Sequence, residues 1–272
     1  MKLSWLPVSY FPQLICGEMQ LESWLDQAVS LGLDAVDASI IFFRDSGKMD
    51  PEKFRMETEK RGIEVAVMNT YSDFTNPDKQ KREMEIKQFE SDVRLAAQIG
   101  AKMVRVTAGQ SHPELGKETA IKYAVENLTR AADISQRIGV LAVYENHSKP
   151  GVWDYADFSH PAEIFIEIFQ KLKDAPLGIL FDTANADARG DNAMMILEKV
   201  IGRVNCVHIA DTAVRGKLQP TVIGTGVVDF DNIFGSLKEY GYDGWLSIEE
   251  ASGKEKDGVI EAVKFIRDKW SK

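Results

Sequence analysis

Residues 135–147 read SQRIGVLAVYENH, and they contain the unit from which the whole chain is built. They close an amphipathic stretch in which Ile121, Ala124, Val125, Leu128, Ala131 and Ala132 recur at three- and four-residue spacing, one face of a helix. Gly139 follows, and glycine is the residue that takes a left-handed conformation without a Cβ penalty, as a helix needs when it stops and turns into a strand. The apolar run VLAVY comes next, as expected of a strand buried on both faces of a parallel sheet. It ends abruptly in three polar residues, Glu145, Asn146 and His147.

The same order of helix, glycine and apolar run recurs as AVSLG-LDAVDA, EKRG-IEVAVMN, AAQIG-AKMVRV, EKVIG-RVNCVH and LKEYG-YDGWLSIEE, with Gly32, Gly62, Gly100, Gly202 and Gly241 at the junctions. Two further runs, 3–10 and 177–185, lack the glycine. Strands are therefore expected near 3–10, 33–43, 63–70, 101–108, 140–147, 177–184, 204–211 and 244–250. Helices are expected near 20–31, 50–61, 78–99, 117–138, 161–173, 191–201, 230–240 and 257–270. Eight consecutive βα units of about 34 residues each predict an α/β protein, a single (β/α)8 TIM barrel spanning residues 1–272 as one domain. A doubly wound dinucleotide fold would carry a Gly-rich phosphate turn after its first strand. None follows Tyr10, so no nucleotide cofactor is expected.

The 33 basic and 42 acidic residues give a net charge of −9, without a basic block, which argues against a nucleic-acid partner. No apolar run is long enough to span a bilayer, and residues 1–10 lack the apolar core of a secretion signal, so no membrane partner is expected. The two cysteines, Cys16 and Cys206, form neither a disulfide framework nor a zinc ribbon. A cytoplasmic location follows as the expectation.

A barrel of this kind places its active site at the C-terminal ends of its strands. Four polar residues close neighbouring apolar runs there: Glu145, Asp182, His208 and Glu249. Strand alternation turns Gly178, Leu180 and Asp182 to one face, and Trp245, Ser247 and Glu249 to one face, which selects Glu249 over Glu250 as the inward carboxylate. Three converging carboxylates and an imidazole repel and are penalised by desolvation unless a cation joins them. Three oxygens and one nitrogen suit one divalent ion, Mn²⁺, Mg²⁺, Co²⁺, Fe²⁺ or Zn²⁺, without choosing among them.

The segments YENH (144–147), FDTAN (181–185), CVHIAD (206–211), IGTGVVDF (223–230) and GYDGWLSIEE (241–250) resemble the xylose-isomerase-like barrels, the superfamily of sugar (phosphate) isomerases and epimerases that includes endonuclease IV. The resemblance covers essentially the whole barrel. It implies that Glu145 and Glu249 bind the metal through one oxygen and act as acid and base through the other, while Asp182 and His208 only hold the metal. It further implies a small sugar or keto-polyol substrate, proton abstraction next to its carbonyl, and a metal-stabilised enediolate. The isomerase or epimerase reading comes first.

Departures from the pattern bear on the substrate. Asn185 stands where several sugar epimerases of the family carry a histidine. Arg215 lies about where a substrate-binding arginine is found, or is a solvated loop charge. Asn69 closes the third strand and joins the substrate-facing set. His147 and Arg105 match the Glu-x-His pattern and strand-4 arginine of dehydratases such as 3-dehydroshikimate dehydratase, so a lyase is the alternative, and a barrel that binds a ligand without catalysis is a third reading. The trinuclear site of endonuclease IV needs several histidines, and this chain has four in all, His112, His147, His160 and His208. His112 reads as a surface residue and His160 as part of a helix start. Gly224 and Gly226 either offer N–H groups to a phosphate or form a structural turn. Trp153, Tyr155 and Phe158 either cover a sugar or pack a loop. Self-association is left open.

Overall fold

The computed structural model describes residues 1–44, 49–149 and 151–271. The expected units are present. Strands β1 (Lys2–Trp5), β2 (Ala35–Ser39), β3 (Glu64–Asn69), β4 (Ala101–Val106), β5 (Leu141–Glu145), β6 (Leu177–Asp182) and β7 (Val204–Ile209) belong to the barrel, and so does β10 (Trp245–Ile248). Between the last two lies a short hairpin, β8 (Thr212–Val214) and β9 (Lys217–Pro220). The eight barrel strands are parallel, in the order β1-β10-β7-β6-β5-β4-β3-β2. At the closing edge, Asp34 Oδ2 accepts from the Leu3 amide at 2.8 Å and the Asp34 amide donates to the Leu3 carbonyl at 2.9 Å, so β1 reaches β2. The result is a nearly closed (β/α)8 barrel.

The helices are α1 (Phe11–Cys16), α2 (Leu21–Ser30), α3 (Pro51–Arg61), α4 (Lys79–Gln98), α5 (Lys117–Ile138), α6 (Ala162–Lys171), α7 (Asn185–Arg189), α8 (Ala193–Val200), α9 (Phe230–Tyr240) and α10 (Glu255–Trp270). Among the described residues no helix is long and apolar enough to cross a membrane. Alternation along the strands separates two cores. Ala35, Ala66, Val67, Met103, Val143, Leu180, Cys206 and Trp245 fill the barrel interior, while residues of the opposite phase, such as Ile179, Phe181, Leu246 and Ile248, pack under the helices. All of these but Ala66 sit two positions before a polar residue: Ala35 before Asp37, Val67 before Asn69, Met103 before Arg105, Val143 before Glu145, Leu180 before Asp182, Cys206 before His208, Trp245 before Ser247. The interior packing therefore aims these polar side chains into the mouth.

Three details depart from the sequence reading. The first strand ends at Trp5, and residues 8–16 form a 3₁₀ turn and α1 instead of more strand. The stretch after β7 folds back as the β8–β9 hairpin, turned by Gly216 at φ 82°. Of the six junction glycines, Gly32, Gly62, Gly100, Gly139 and Gly241 are left-handed, but Gly202 is not. It lies inside a 3₁₀ turn, Ile201–Arg203, that leads from α8 into β7, so no reversal is needed there.

Candidate metal centre

The ends of β5, β6, β7 and β10 bring Glu145, Asp182, His208 and Glu249 together, with one ligand atom from each lying within 4.8 Å of all the others. His208 Nδ1 stands 3.0 Å from Glu145 Oε1 and 2.8 Å from Glu249 Oε2. Asp182 Oδ1 accepts from the Ala184 and Asn185 amides at 2.8 and 2.6 Å, which fixes the carboxylate. Asn146 ties the same strand end to β5, donating to the Asp182 carbonyl at 2.9 Å and accepting from its amide at 2.8 Å. Only Glu249 reaches solvent, with 27% of its side chain exposed against 0–1% for His208 and Glu145. Glu250 points away and accepts from Ser9 Oγ and the Ser252 amide.

The electrostatics follow from burial and from these contacts. Burial raises the Asp182 carboxyl, and the nearby Glu249 and Glu145 charges raise it further. Burial works against a charged His208, but the attraction of Glu145 and the contacts with Asp37 and Glu249 outweigh it and hold the imidazole well above its usual range. Burial also works to raise Glu145, yet the Arg105 guanidinium beside it, with the two histidines, holds it well below the carboxylate range. A site that draws positive charge toward one point between three carboxylates and an imidazole nitrogen fits a divalent cation of the oxygen- and nitrogen-binding kind.

Around this centre the other expected residues take distinct places. Arg105 is buried and donates from Nη1 to Glu145 Oε2 at 2.6 Å and from Nη2 to the Thr70 carbonyl at 2.9 Å, with its guanidinium over the Tyr71 ring. It therefore faces a site carboxylate. His147 lies partly open at the mouth, its Nε2 4.0 Å from Glu145 Oε2, and burial lowers its pKa to about 4, so the ring is neutral at pH 7. Asn69 donates to the Ala38 carbonyl at 3.1 Å, and its buried Oδ1 has no partner among the described residues. Asn185 is held by its backbone, with its carbonyl 3.1 Å from His160 Nε2. Arg215 pairs with Asp187 at 2.6 Å and donates to the Asp191 carbonyl at 3.1 Å, so the hairpin is pinned to α7.

One open alternative closes, and one expectation is corrected. The Gly224 and Gly226 amides donate to Asp211 Oδ2 at 2.9 and 2.8 Å, so an internal carboxylate takes the place a phosphate would need. Trp153 is buried and donates to the Tyr71 carbonyl at 3.0 Å, as loop packing. His112 is half-buried rather than free at the surface: its Nε2 lies 2.7 Å from Asp73 Oδ2, and Tyr155 stacks edge-on against it. Asp73 also accepts from the Gln110 amide and side chain, so the loops after β3 and β4 are tied together.

Sequence reasoning assigned no role to Asp37 and Asp157. Asp37 lies in the interior phase of β2, and its wholly buried carboxylate faces His208 Nε2 at 3.6 Å. The signal was present as an acid inside the apolar run LDAVDA. Asp157 lies in the loop after β5, where nothing in the spacing announces burial.

A family model described as xylose isomerase-like TIM barrel matches residues 25–269. A protein of Klebsiella pneumoniae named inosose dehydratase is 27% identical over 255 residues, covering 80% of this chain and 81% of its own. Among solved structures, the IOLI protein with a bound zinc atom superposes with a TM-score of 0.82 at 21% identity, covering 100% of this chain and 98% of its own. An L-ribulose 3-epimerase superposes with a TM-score of 0.81 at 16% identity, covering 100% of this chain and 95% of its own.

Proposed function

The chain belongs to the xylose isomerase-like TIM barrel family, and from that premise we propose that it is a divalent-cation-dependent dehydratase, which removes the proton next to the carbonyl of a small polyhydroxylated ketone and expels water from the neighbouring carbon. Glu145, Asp182, His208 and Glu249 would hold the cation. When bound, the cation would supply Lewis-acid polarisation of the carbonyl and stabilisation of the charge on its oxygen. Glu249, the one ligand with a partly exposed side chain, takes the α-proton. The C–H electron pair then moves into the carbon–carbon bond as the neighbouring C–O bond breaks. His147, neutral at pH 7 and open to the mouth, positions the departing hydroxyl, which leaves as water by taking the proton that Glu249 removed.

One observation carries the choice of elimination. Epimerisation through two opposed carboxylates needs a free oxygen on each, and Arg105 Nη1 holds Glu145 Oε2 at 2.6 Å. A carboxylate oxygen in a buried charge-assisted hydrogen bond is a poor base. The name of the Klebsiella pneumoniae relative, inosose dehydratase, supports the same order. The isomerase or epimerase that the sequence placed first remains the second reading, favoured by the way Glu145 and Glu249 flank His208 Nδ1 at 3.0 and 2.8 Å. In either reading the partner is a small molecule, and neither a nucleotide cofactor nor nucleic acid takes part.

Incubation with Mn²⁺ in D₂O and a panel of inososes, ketoses and dehydroshikimate separates the readings. Dehydration gives a conjugated product that absorbs in the near ultraviolet. Deuterium entering at carbon with no loss of water favours the isomerase or epimerase. No exchange on any substrate, with the cation bound, overturns both and leaves a ligand-binding barrel.

A further inference from the structure

We propose that Asp37 is a positioning residue of the metal centre: its carboxylate keeps the proton of the His208 imidazole on Nε2, so that Nδ1 presents its lone pair to the cation. The inference rests on the reading of Glu145, Asp182, His208 and Glu249 as a cation site.

His208 is wholly buried, and its two nitrogens meet different surroundings. Nδ1 faces Glu145 and Glu249 at 3.0 and 2.8 Å. Nε2 has no hydrogen-bond partner among the described residues and faces Asp37 Oδ2 at 3.6 Å. Asp37 is itself wholly buried, and its Oδ1 has no partner among the described residues. Its Oδ2 accepts from Ser247 Oγ at 2.5 Å, and Ser247 lies in register beside His208 on the neighbouring strand. Strands β2, β10 and β7 thus bring one carboxylate, one hydroxyl and one imidazole to a single point inside the barrel.

Both unpartnered groups are costly where they stand, because a buried carboxylate oxygen and a buried ring N–H each lose their water. A movement of roughly 0.7 Å, from this separation to an ordinary hydrogen bond, would satisfy the N–H and place a second donor on Asp37. A ring nitrogen that donates to a carboxylate fixes the tautomer and makes the opposite nitrogen a better ligand, which is how ligating histidines are commonly oriented. Ser247 keeps the Asp37 carboxylate in place for this contact.

Two measurements test the assignment, and neither reads activity. In the Zn²⁺-loaded, ¹⁵N-labelled wild-type protein, the His208 resonances are expected to show a metal-bound Nδ1 and a protonated Nε2. A metal-bound Nε2 overturns the proposal, and this result needs no variant that might fail to fold. By calorimetry, Asp37→Asn is expected to weaken Mn²⁺ binding about 10–100-fold, and Ser247→Ala to weaken it less. Wild-type affinity in Asp37→Asn overturns the positioning role and leaves the metal centre standing. A wild-type protein that binds no cation overturns both.

Discussion

At the level of single residues, Arg105 makes the two glutamates of the cluster unlike, since it holds Glu145 and not Glu249. Arg105 engages one oxygen of Glu145 and leaves the other turned to His208 Nδ1, which in the proposed cation site would make Glu145 a ligand of fixed orientation. Glu249 has no such clamp and keeps part of its side chain in solvent. His147 completes the set as a neutral ring. If it positions the departing hydroxyl, His147→Gln should lower product formation by about 10²-fold, the scale of a misplaced reacting group. Exchange of the α-proton with D₂O, which depends on Glu249, should persist. A parallel loss of exchange and product would assign His147 to substrate binding instead. The grouping of Glu145, Asp182, His208 and Glu249 was legible in the sequence because each closes an apolar strand with a titratable side chain. The Arg105–Glu145 and Asp37–His208 contacts were not, because they depend on strand register and on rotamers, and no spacing along one strand encodes them.

The elements obey a local rule and one exception to it. Gly139 ends α5 at φ 90°, where any residue with a Cβ is strained although the space around it is open. Gly202 has no positive φ, and a Cβ there would meet only the end of the Tyr240 side chain, at 3.1 Å. Gly139→Ala should therefore destabilise the protein by about 1–2 kcal/mol, the cost of a left-handed residue with a Cβ. Gly202→Ala should cost less than about 0.5 kcal/mol, as an ordinary surface change does. Urea denaturation of the two variants checks this, and equal losses would contradict the conformational argument. The barrel strands and their helices were legible because the periodicity and the glycines repeat. Helix α1 and the β8–β9 hairpin were not, since three to six residues are too few to show a period.

The whole molecule keeps several acids inside its interior, and this sets how its stability responds to pH. Asp157 accepts from the Ser159 amide and hydroxyl through Oδ1, each at 2.7 Å, while its buried Oδ2 has no partner among the described residues. Burial pushes this carboxyl from its ordinary 3.8 up to about 8. Between those values the native protein keeps a proton that the unfolded chain has released. The contribution is therefore fully present below pH 3.8 and is lost as pH rises toward 8. Asp157→Asn preserves the acceptor for Ser159 and removes the titration. Relative to this variant, the wild type should lose stability across that window with a slope of up to about 1.4 kcal/mol per pH unit. Denaturation of both proteins from pH 5 to pH 8 measures it, and parallel profiles would show that Asp157 ionises in the native state at its ordinary pH.

The proposed function requires that four strand ends form a single cation site. The anomalous difference map of a crystal soaked in Mn²⁺ tests it most directly. A single cation site gives one strong peak bounded by Glu145, Asp182, Glu249 and Nδ1 of His208, at ligand distances of roughly 2.0–2.3 Å. A map with no peak between these residues, or with its peak elsewhere on the molecule, would contradict it.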